Sequence, residues 1–273
     1  MRSLIVTTSH SVLLLAWPSL ELESVVHRGD GLYYGIAQTP WGLAIAARRR
    51  LVSSKVPLDD ERGCILLFDA SFRPVGEIPA PFPLRDLHGI TYMAGALWLT
   101  CSFDNQIARF DGKEWDIWQP LGRPALAPFD VNHFNTVWPE GSDLWVLAHN
   151  FGASKALRYR LPGRTLVETI ALGNQAHDLW RRPNGALATC SSIEGRLVAQ
   201  DGWTLATGGF PRGVALDGER AVVGISELAE RDSRDFTAGR LLLIEPDGAI
   251  SRVAELVGEG LVLALEFVEG SRG

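Results

Sequence analysis

The chain has 273 residues, of which 46% are apolar, enough to bury a substantial core within a single domain. Its formal net charge is −6, and its one dense basic cluster is Arg48-Arg49-Arg50, so nucleic acid is not an expected partner. Its apolar segments are too short to span a membrane, so no membrane partner is expected either.

The beginning of the chain predicts strands rather than a targeting segment. Residues 3–27 contain apolar stretches separated by turns near Ser9-His10 and Pro18-Ser19. The stretch from Val12 to Trp17 is short and is not followed by a small-x-small cleavage site. The three cysteines of the chain are odd in number and widely spread, which favours a reducing compartment over a disulfide framework. We therefore expect a cytoplasmic protein.

A repeated unit follows from residue 34 onwards. Its clearest copy, residues 86–112, has a polar residue, a glycine and an apolar residue in a row, then a hairpin turn, a second strand, a polar loop and a third strand. In five copies the polar residue lies nine residues before the second strand. The pairs are Tyr34 and Leu43, His88 and Leu97, Asn135 and Leu144, His177 and Ala186, and Arg212 and Ala221. Unit starts 35 to 54 residues apart are typical of the four-stranded blades of a β-propeller.

The two ends of the chain complete a sixth blade. Glu259-Gly260-Leu261 repeats the polar-glycine-apolar pattern, and the run VLALEFV after it predicts an innermost strand. Residues 3–27 then supply the three outer strands, and this pairing leaves no exposed sheet edge in the ring. The sequence predicts an all-β, six-bladed propeller as one domain, residues 1–273, closed by pairing of the N-terminal strands with the C-terminal strand.

The first residue of each unit is predicted to face the central channel. Such convergent polar groups in a concave site are typical of a functional centre. The six residues are Tyr34, His88, Asn135, His177, Arg212 and Glu259.

Alternate blades of this ring carry a candidate metal site. His88, His177 and Glu259 come from blades related by about a third of a turn, and two histidines with a carboxylate suit zinc or iron better than calcium. His133, two residues before Asn135, competes for the place of third ligand. Two alternatives stay open: the histidines line the channel with water as partner, and Glu259 pairs with Arg212.

Loops at the same end of the channel are predicted to bind a substrate. The longer insertions, residues 48–62, 150–155 and 227–239, all follow a second strand and so share one face. Arg48 and Arg212 indicate an anionic group on the ligand, because a guanidinium matches carboxylate and phosphate oxygens. The predicted substrate-binding residues are Asn135, Arg48, His149, Ser102, Ser191 and Glu227.

The run from His88-Gly89-Ile90 through LWLTCSFDNQIARFDG resembles a blade of the NHL and streptogramin-lyase type of propeller. The series LHGI, NHFNTV, QAHDLW, GFPRGVAL and VGISELAERD is similar to a bacterial family of six-bladed propellers without an assigned function. That resemblance implies the fold and the polar channel residues. A looser likeness to peptidylhydroxyglycine amidating lyase, whose metal is held by three histidines, implies metal-ligand roles for His88 and His177 and a place near the substrate for Tyr34 or Arg212.

Two functions follow as hypotheses. In the first, the protein is a metal-dependent lyase, hydrolase or cyclase that acts on a small anionic substrate, with Tyr34 as acid or base and Arg212 binding the substrate. In the second, it is a non-catalytic propeller that binds a small ligand or a partner protein on its loop face.

Overall fold

The structure is a computed structural model that describes residues 2–123 and 129–269. These residues form six antiparallel four-stranded sheets, and the chain runs from the innermost strand outwards in each complete blade. The only helices among them are three short 3-10 turns, and none is long and apolar enough to cross a bilayer. The predicted all-β, six-bladed architecture is confirmed.

Five blades are continuous in the chain. Blade 1 comprises β4 (Tyr33–Thr39), β5 (Gly42–Ala47), β6 (Cys64–Phe68) and β7 (Pro74–Ile78). Blade 2 comprises β8 (Leu87–Met93), β9 (Ala96–Cys101), β10 (Gln106–Phe110) and β11 (Trp115–Trp118). Blade 3 comprises β12 (Thr136–Glu140), β13 (Asp143–His149), β14 (Ala153–Arg160) and β15 (Thr165–Asn174). Blade 4 comprises β16 (His177–Arg181), β17 (Leu187–Ser191), β18 (Arg196–Ala199) and β19 (Thr204–Ala206). Blade 5 comprises β20 (Phe210–Asp217), β21 (Arg220–Ser226), β22 (Gly239–Ile244) and β23 (Ile250–Leu256).

Blade 6 joins the two ends of the chain. Its innermost strand is β24 (Val262–Glu269), which pairs with β1 (Arg2–Thr8), and β2 (Ser11–Ala16) and β3 (Leu22–Arg28) follow outwards. The β1–β24 register runs from Arg2 opposite Glu269 to Thr8 opposite Val262. The predicted closure is therefore confirmed, and the pairing of β24 with β1 completes the ring of six blades.

The core lies between neighbouring blades. Every residue of β9 and β13 is buried, because second strands are covered on both faces, whereas β3 and β7 on the outside are largely exposed. Apolar side chains of adjacent blades pack together, as Ala44 and Ile65 of blade 1 do with Leu99 of blade 2. This packing makes the blades one rigid scaffold around the channel.

The glycine of the repeated unit has a steric reason. A Cβ atom on Gly35 would lie 2.6 Å from the backbone nitrogen of Ile90 in the next blade. A Cβ on Gly89 would lie 2.9 Å from the nitrogen of Val137, again one blade onwards. Glycine therefore allows the innermost strands to approach each other around the channel.

Polar side chains also tie each blade to the next. Ser102 Oγ donates to the carbonyl of Phe134 at 2.5 Å, and Ser192 Oγ donates to the carbonyl of Pro211 at 2.7 Å. Asn135 Nδ2 donates to the carbonyl of Ala176 at 2.6 Å. These bonds fix the position of the residue that each next blade presents to the channel.

The predicted insertions are present in two blades. The loop between β5 and β6 spans residues 48–63, and the loop between β21 and β22 spans residues 227–238. In blade 3 the loop is only residues 150–152, because β14 begins earlier than the sequence pattern indicated. The two long loops meet at Asp235, whose carboxylate accepts hydrogen bonds from Ser53 N at 2.8 Å and Ser9 Oγ at 3.1 Å.

Candidate functional site

The central channel contains two cavities separated by one layer of side chains. On the side of the long loops lies a cavity of 560 Å³, here called the upper chamber, and beyond it lies one of 410 Å³, the lower chamber. Four side chains line both: Tyr34, His88, His177 and Arg212. Four of the six predicted channel residues therefore form the floor of the upper chamber.

His88 and His177 are held in the same way. Nδ1 of His88 lies 2.9 Å from the carbonyl oxygen of Asp86, and Nδ1 of His177 lies 3.0 Å from that of Gln175. A serine hydroxyl from the end of the second strand, Ser102 or Ser192, also contacts each Nδ1. Because a carbonyl only accepts, each Nδ1 carries the proton, and each Nε2 keeps its lone pair.

Two further histidines extend this arrangement along the chamber wall. Consecutive ring centroids lie 4.9 Å apart from His88 to His133, 4.5 Å from His133 to His149, and 6.1 Å from His149 to His177. His133 Nδ1 donates to the Asp130 carboxylate, which fixes the orientation of its ring. His149 differs, because its Nδ1 accepts the backbone N–H of Phe151 and its Nε2 therefore carries the proton.

Burial keeps three of these imidazoles neutral. It lowers the pKa of His88 and of His177 well below the ordinary value, and it lowers the pKa of His149 to about 3. The positive charge of Arg212 lowers the pKa of His177 further. A neutral imidazole is the form that binds a metal ion.

Unpartnered polar atoms are concentrated at this chamber. Within residues 2–123 and 129–269, four buried side-chain nitrogens have no hydrogen-bond partner. Three of them, Nε2 of His149, Nε2 of His177 and Nε of Arg212, belong to residues that line the upper chamber. Since buried polar groups are normally satisfied, their concentration indicates a site that receives a ligand or water.

Arg212 has no carboxylate partner among the residues that the structure describes. Its guanidinium lies 4.7 Å from the centroid of the Phe210 ring, and burial lowers its pKa from the ordinary value without removing the charge. A buried cation without a counter-ion is costly, so an anion bound beside Arg212 would relieve that cost.

Arg48 is committed to the protein itself. It is buried, it donates to Glu61 from Nε at 2.9 Å and from a terminal nitrogen at 2.7 Å, and its other terminal nitrogen lies 2.5 Å from Asp86. Despite burial, which acts in the opposite direction, Arg48 holds the pKa of Asp86 below its usual range. Arg48 lines the upper chamber, but its guanidinium N–H groups already bond to Glu61 and Asp86.

The predicted position of Glu259 is wrong. In the register of β24 the residue equivalent to His88 is Leu263, which lines the lower chamber, and Glu259 precedes the strand. The Glu259 carboxylate accepts hydrogen bonds from Arg28 at 2.5 Å and Thr8 at 3.2 Å, and it does not line the upper chamber. The error arose because the second strand of this blade is at the other end of the chain, so the nine-residue spacing could not be checked.

Other predicted binding residues are distributed unevenly. His149 and the exposed Glu227 line the upper chamber. Asn135 lines only the lower chamber, and Ser102 serves as the tie between blades described above. Ser191 donates to Glu194 and accepts from the backbone N–H of Asn174, and its neighbour Ser192 makes the contact with His177.

Several chamber residues were missed at the level of sequence. Asp86 and Asp130 were not predicted, yet they offer ligand atoms within 4.8 Å of one another and of the predicted His133, although Asp86 is already paired with Arg48 and Asp130 with His133. Their closeness to predicted residues, two before His88 and three before His133, is the signal that could have revealed them. The chamber is also lined by apolar side chains that were not predicted to belong to the site: Phe103, Phe129, Phe151, Ile193, Phe210 and Leu228.

Comparisons with known proteins support the fold but do not assign an activity. No protein-family profile matches the chain, and no curated protein matches it significantly. Three solved structures resemble it over nearly its whole length. They are a protein of unknown function from Bacteroides caccae (10% identity, 98% of this chain and 99% of that chain, TM-score 0.67), the periplasmic gluconolactonase PpgL of Pseudomonas aeruginosa (13%, 98% and 99%, 0.62) and virginiamycin B lyase from Staphylococcus aureus (12%, 94% and 74%, 0.52).

At such low identity the likeness establishes architecture, and the activity has to be argued from the site. The chain is a six-bladed β-propeller whose structural neighbours include propellers of unknown function and of the streptogramin B lyase type, as its blade pattern predicted.

Proposed function

We propose that the protein is a metal-dependent lyase or hydrolase that acts on a small anionic substrate in the upper chamber. The observation that carries this proposal is the identical support of His88 and His177, each with Nδ1 bound to a carbonyl and Nε2 left with its lone pair. Metal-binding histidines in proteins are held in this way, because the second nitrogen needs a partner that fixes the ring and its tautomer.

The proposed donor set for a divalent ion such as zinc or iron is His88, His133 and His177. Their ligand atoms do not all lie within 4.8 Å of one another in the structure, so an ion would have to draw the three rings together. Each has its Nδ1 bound to a carbonyl or carboxylate oxygen, and Nε2 of His177 is buried without a partner. An ion held there would polarise a substrate carbonyl or activate a water molecule. His149 does not join this set, because its Nε2 carries the proton.

The remaining floor residues suit substrate binding and proton transfer. Arg212, without a carboxylate partner in the described part of the chain, would hold the anionic group and so orient the substrate. Tyr34, whose ring centroid lies 4.2 Å from that of His88, would donate or accept a proton at its hydroxyl oxygen. A lyase and a lactonase are among the structural neighbours by name, which supports the two reaction classes proposed.

Metal binding can be tested with matched histidine variants. Protein stripped with a chelator would be exposed to zinc, iron and manganese in turn, dialysed, and subjected to elemental analysis. We expect one ion per chain in the wild type, and a loss of stoichiometric binding in His88→Ala and His177→Ala. His27→Ala is the control, because His27 bonds to Tyr33 outside the chamber, and it should bind like the wild type.

The same experiment has a clear contrary outcome. If the wild type takes up no ion from any of the three solutions, or if the chamber variants bind as much as His27→Ala does, the proposal of a metal-dependent enzyme is wrong. Circular dichroism of each variant would establish that loss of metal does not reflect loss of the fold.

A non-catalytic binding protein is the second candidate. The exposed apolar side chains on the rim, Phe129 and Phe151 among them, favour it, because exposed apolar surface often marks a site of association. This candidate would be preferred if the protein binds a ligand in the chamber but holds no metal.

A further inference from the structure

The upper chamber has a polar end and an apolar end. Its floor is made by Tyr34, His88, His177 and Arg212. Its rim carries large apolar side chains that remain in contact with solvent: Phe129 is 62% exposed, Phe151 56% and Leu228 53%. These three come from different loops, so the apolar surface spans the opening rather than one blade.

The charges of the chamber favour an anion. Arg212, Arg231 and Arg234 line it, and none of them forms an ion pair with a carboxylate in residues 2–123 and 129–269. The carboxylate of Asp86 is compensated by Arg48. Asp130 bonds to His133, which must be neutral to bind a metal, and Glu227 has no ion pair among the described residues. Three guanidinium groups therefore face at most two uncompensated carboxylates, so the balance of charge in the chamber is positive.

The order of these features fixes the orientation of a ligand. Arg212 is half-buried at the floor, with its guanidinium over the Phe210 ring, whereas the exposed apolar side chains surround the opening. A charged group would reach Arg212 only by entering first, and the rest of the molecule would then lie against Phe129, Phe151 and Leu228. A volume of 560 Å³ accommodates a small organic molecule rather than a folded partner.

We infer that the substrate is an anion with an apolar body, such as an aryl or alkyl compound that carries a free carboxylate. This inference rests on the proposed function in one respect, namely that the upper chamber is where the substrate binds. A hydroxyl-rich anion such as a sugar acid would place its hydroxyl groups against the apolar rim, where they would lose hydrogen bonds to water.

Three small probes separate charge from apolar character. They are 3-phenylpropanoate, which has both features, gluconate, which has the charge alone, and 3-phenylpropan-1-ol, which has the apolar body alone. Binding to metal-free protein in the presence of EDTA would be measured by isothermal titration calorimetry. We expect 3-phenylpropanoate to bind about tenfold more tightly than either of the others, since an apolar group and a charged hydrogen bond each contribute at least this factor.

Variants show which side chain contacts the charged end of the probe and which contacts its apolar end. Arg212→Gln should weaken 3-phenylpropanoate about tenfold and leave 3-phenylpropan-1-ol unchanged. Phe151→Asn, which suits the positive φ of 52° at that position, should weaken 3-phenylpropanoate but not gluconate. Arg252→Gln, on the exposed outer strand β23, is the control and should bind like the wild type.

The inference is overturned if gluconate binds as tightly as 3-phenylpropanoate, if none of the probes binds, or if the variants do not discriminate between the two ends. The metal is absent throughout, so a failure of metal binding does not affect this result. If the metal-uptake experiment finds no ion but 3-phenylpropanoate still binds selectively, the proposed metal-dependent enzyme is wrong and the inference about the ligand stands.

Discussion

The two chambers of the channel suppress ionisation by the same means but leave different charges. In the upper chamber burial keeps His88, His149 and His177 neutral, yet Arg212 remains charged without a carboxylate partner among the described residues. In the lower chamber burial raises the pKa of Asp178 to about 6 and that of Glu266 to about 7. The upper chamber therefore favours anions, whereas the lower chamber holds carboxyl groups that take up protons easily.

The backbone explains this difference. The upper chamber is formed by loops and by the first residues of the innermost strands. The lower chamber is formed by the strands themselves, where Gly35, Gly89 and Gly213 keep the blades in close contact. Binding and catalytic side chains are therefore more readily accommodated at the loop end of the channel, as in other rigid scaffolds.

The largest effect is expected from removal of the closure that both chambers share. Deletion of residues 1–16 removes β1 and β2, leaves β24 without its only hydrogen-bonded neighbour, and exposes strand edges. We expect the truncated protein to lose its cooperative melting transition, as measured by circular dichroism. A transition as sharp as that of the wild type would contradict the role of the closure.

A large effect is also expected from the buried ion pairs in the wall of the upper chamber. Glu61 has a fully buried side chain, pairs with Arg48 and Arg50, and accepts the backbone N–H of Asp86. Glu61→Ala would leave buried charges unpaired, and we expect a loss of about 3–5 kcal/mol in the free energy of unfolding. Glu77→Ala breaks an exposed pair with Arg49 and should cost at most about 1 kcal/mol, as measured by denaturant unfolding. Equal losses of stability in the two variants would disprove the distinction between buried and exposed ion pairs.

The lower chamber should have its own pH dependence. The pKa of Glu266 is raised by burial to about 7, so the folded protein holds this proton more firmly than the unfolded chain does. The contribution of the protonated Glu266 carboxyl group to the free energy of unfolding is complete below the ordinary pKa of about 4.5 and is lost as the pH rises through 7. Glu266→Gln should therefore stabilise the protein by about 1–3 kcal/mol at pH 8 and have little effect at pH 4.

Denaturant unfolding of Glu266→Gln at both pH values would check this prediction, with Glu255→Gln on the exposed face of β23 as the control. The glutamine keeps an oxygen to accept the bond from Gln38, so packing is preserved. A variant that is equally stabilised at pH 4 and pH 8 would show that the carboxyl group does not titrate as described.

The smallest effect is expected at the serine that supports His177. Ser192→Ala removes the contact with Nδ1 of His177 and the bond to the carbonyl of Pro211. We expect a loss of about 1 kcal/mol in stability and about tenfold weaker metal binding, because the support of a ligand ring is lost. Ser191→Ala, one residue earlier and outside the chamber lining, should reduce stability alone. Unchanged metal affinity in Ser192→Ala would contradict the supporting role.

Sequence predicted the fold well because the repeat is periodic. The nine-residue spacing reflects the hairpin between the first two strands of a blade, and the glycine after Tyr34 and His88 reflects close backbone contacts with the next blade. The site was predicted less completely. Asp130 and the rim phenylalanines lie on loops, where no periodicity constrains them, and Glu259 was misplaced because its blade is divided between the two ends of the chain. Burial of Arg48 between Glu61 and Asp86 depends on contacts between loops and could not be inferred from its position in the repeat.

The central claim, that the upper chamber holds a metal ion, is tested most directly by anomalous diffraction from crystals grown with zinc. We predict one strong peak in the upper chamber, about 2.0–2.1 Å from the Nε2 atoms of His88, His133 and His177. His177→Ala crystals should lose that peak under the same conditions. A peak in the lower chamber beside Asp178 and Glu266, or no peak in the channel at all, would contradict the account.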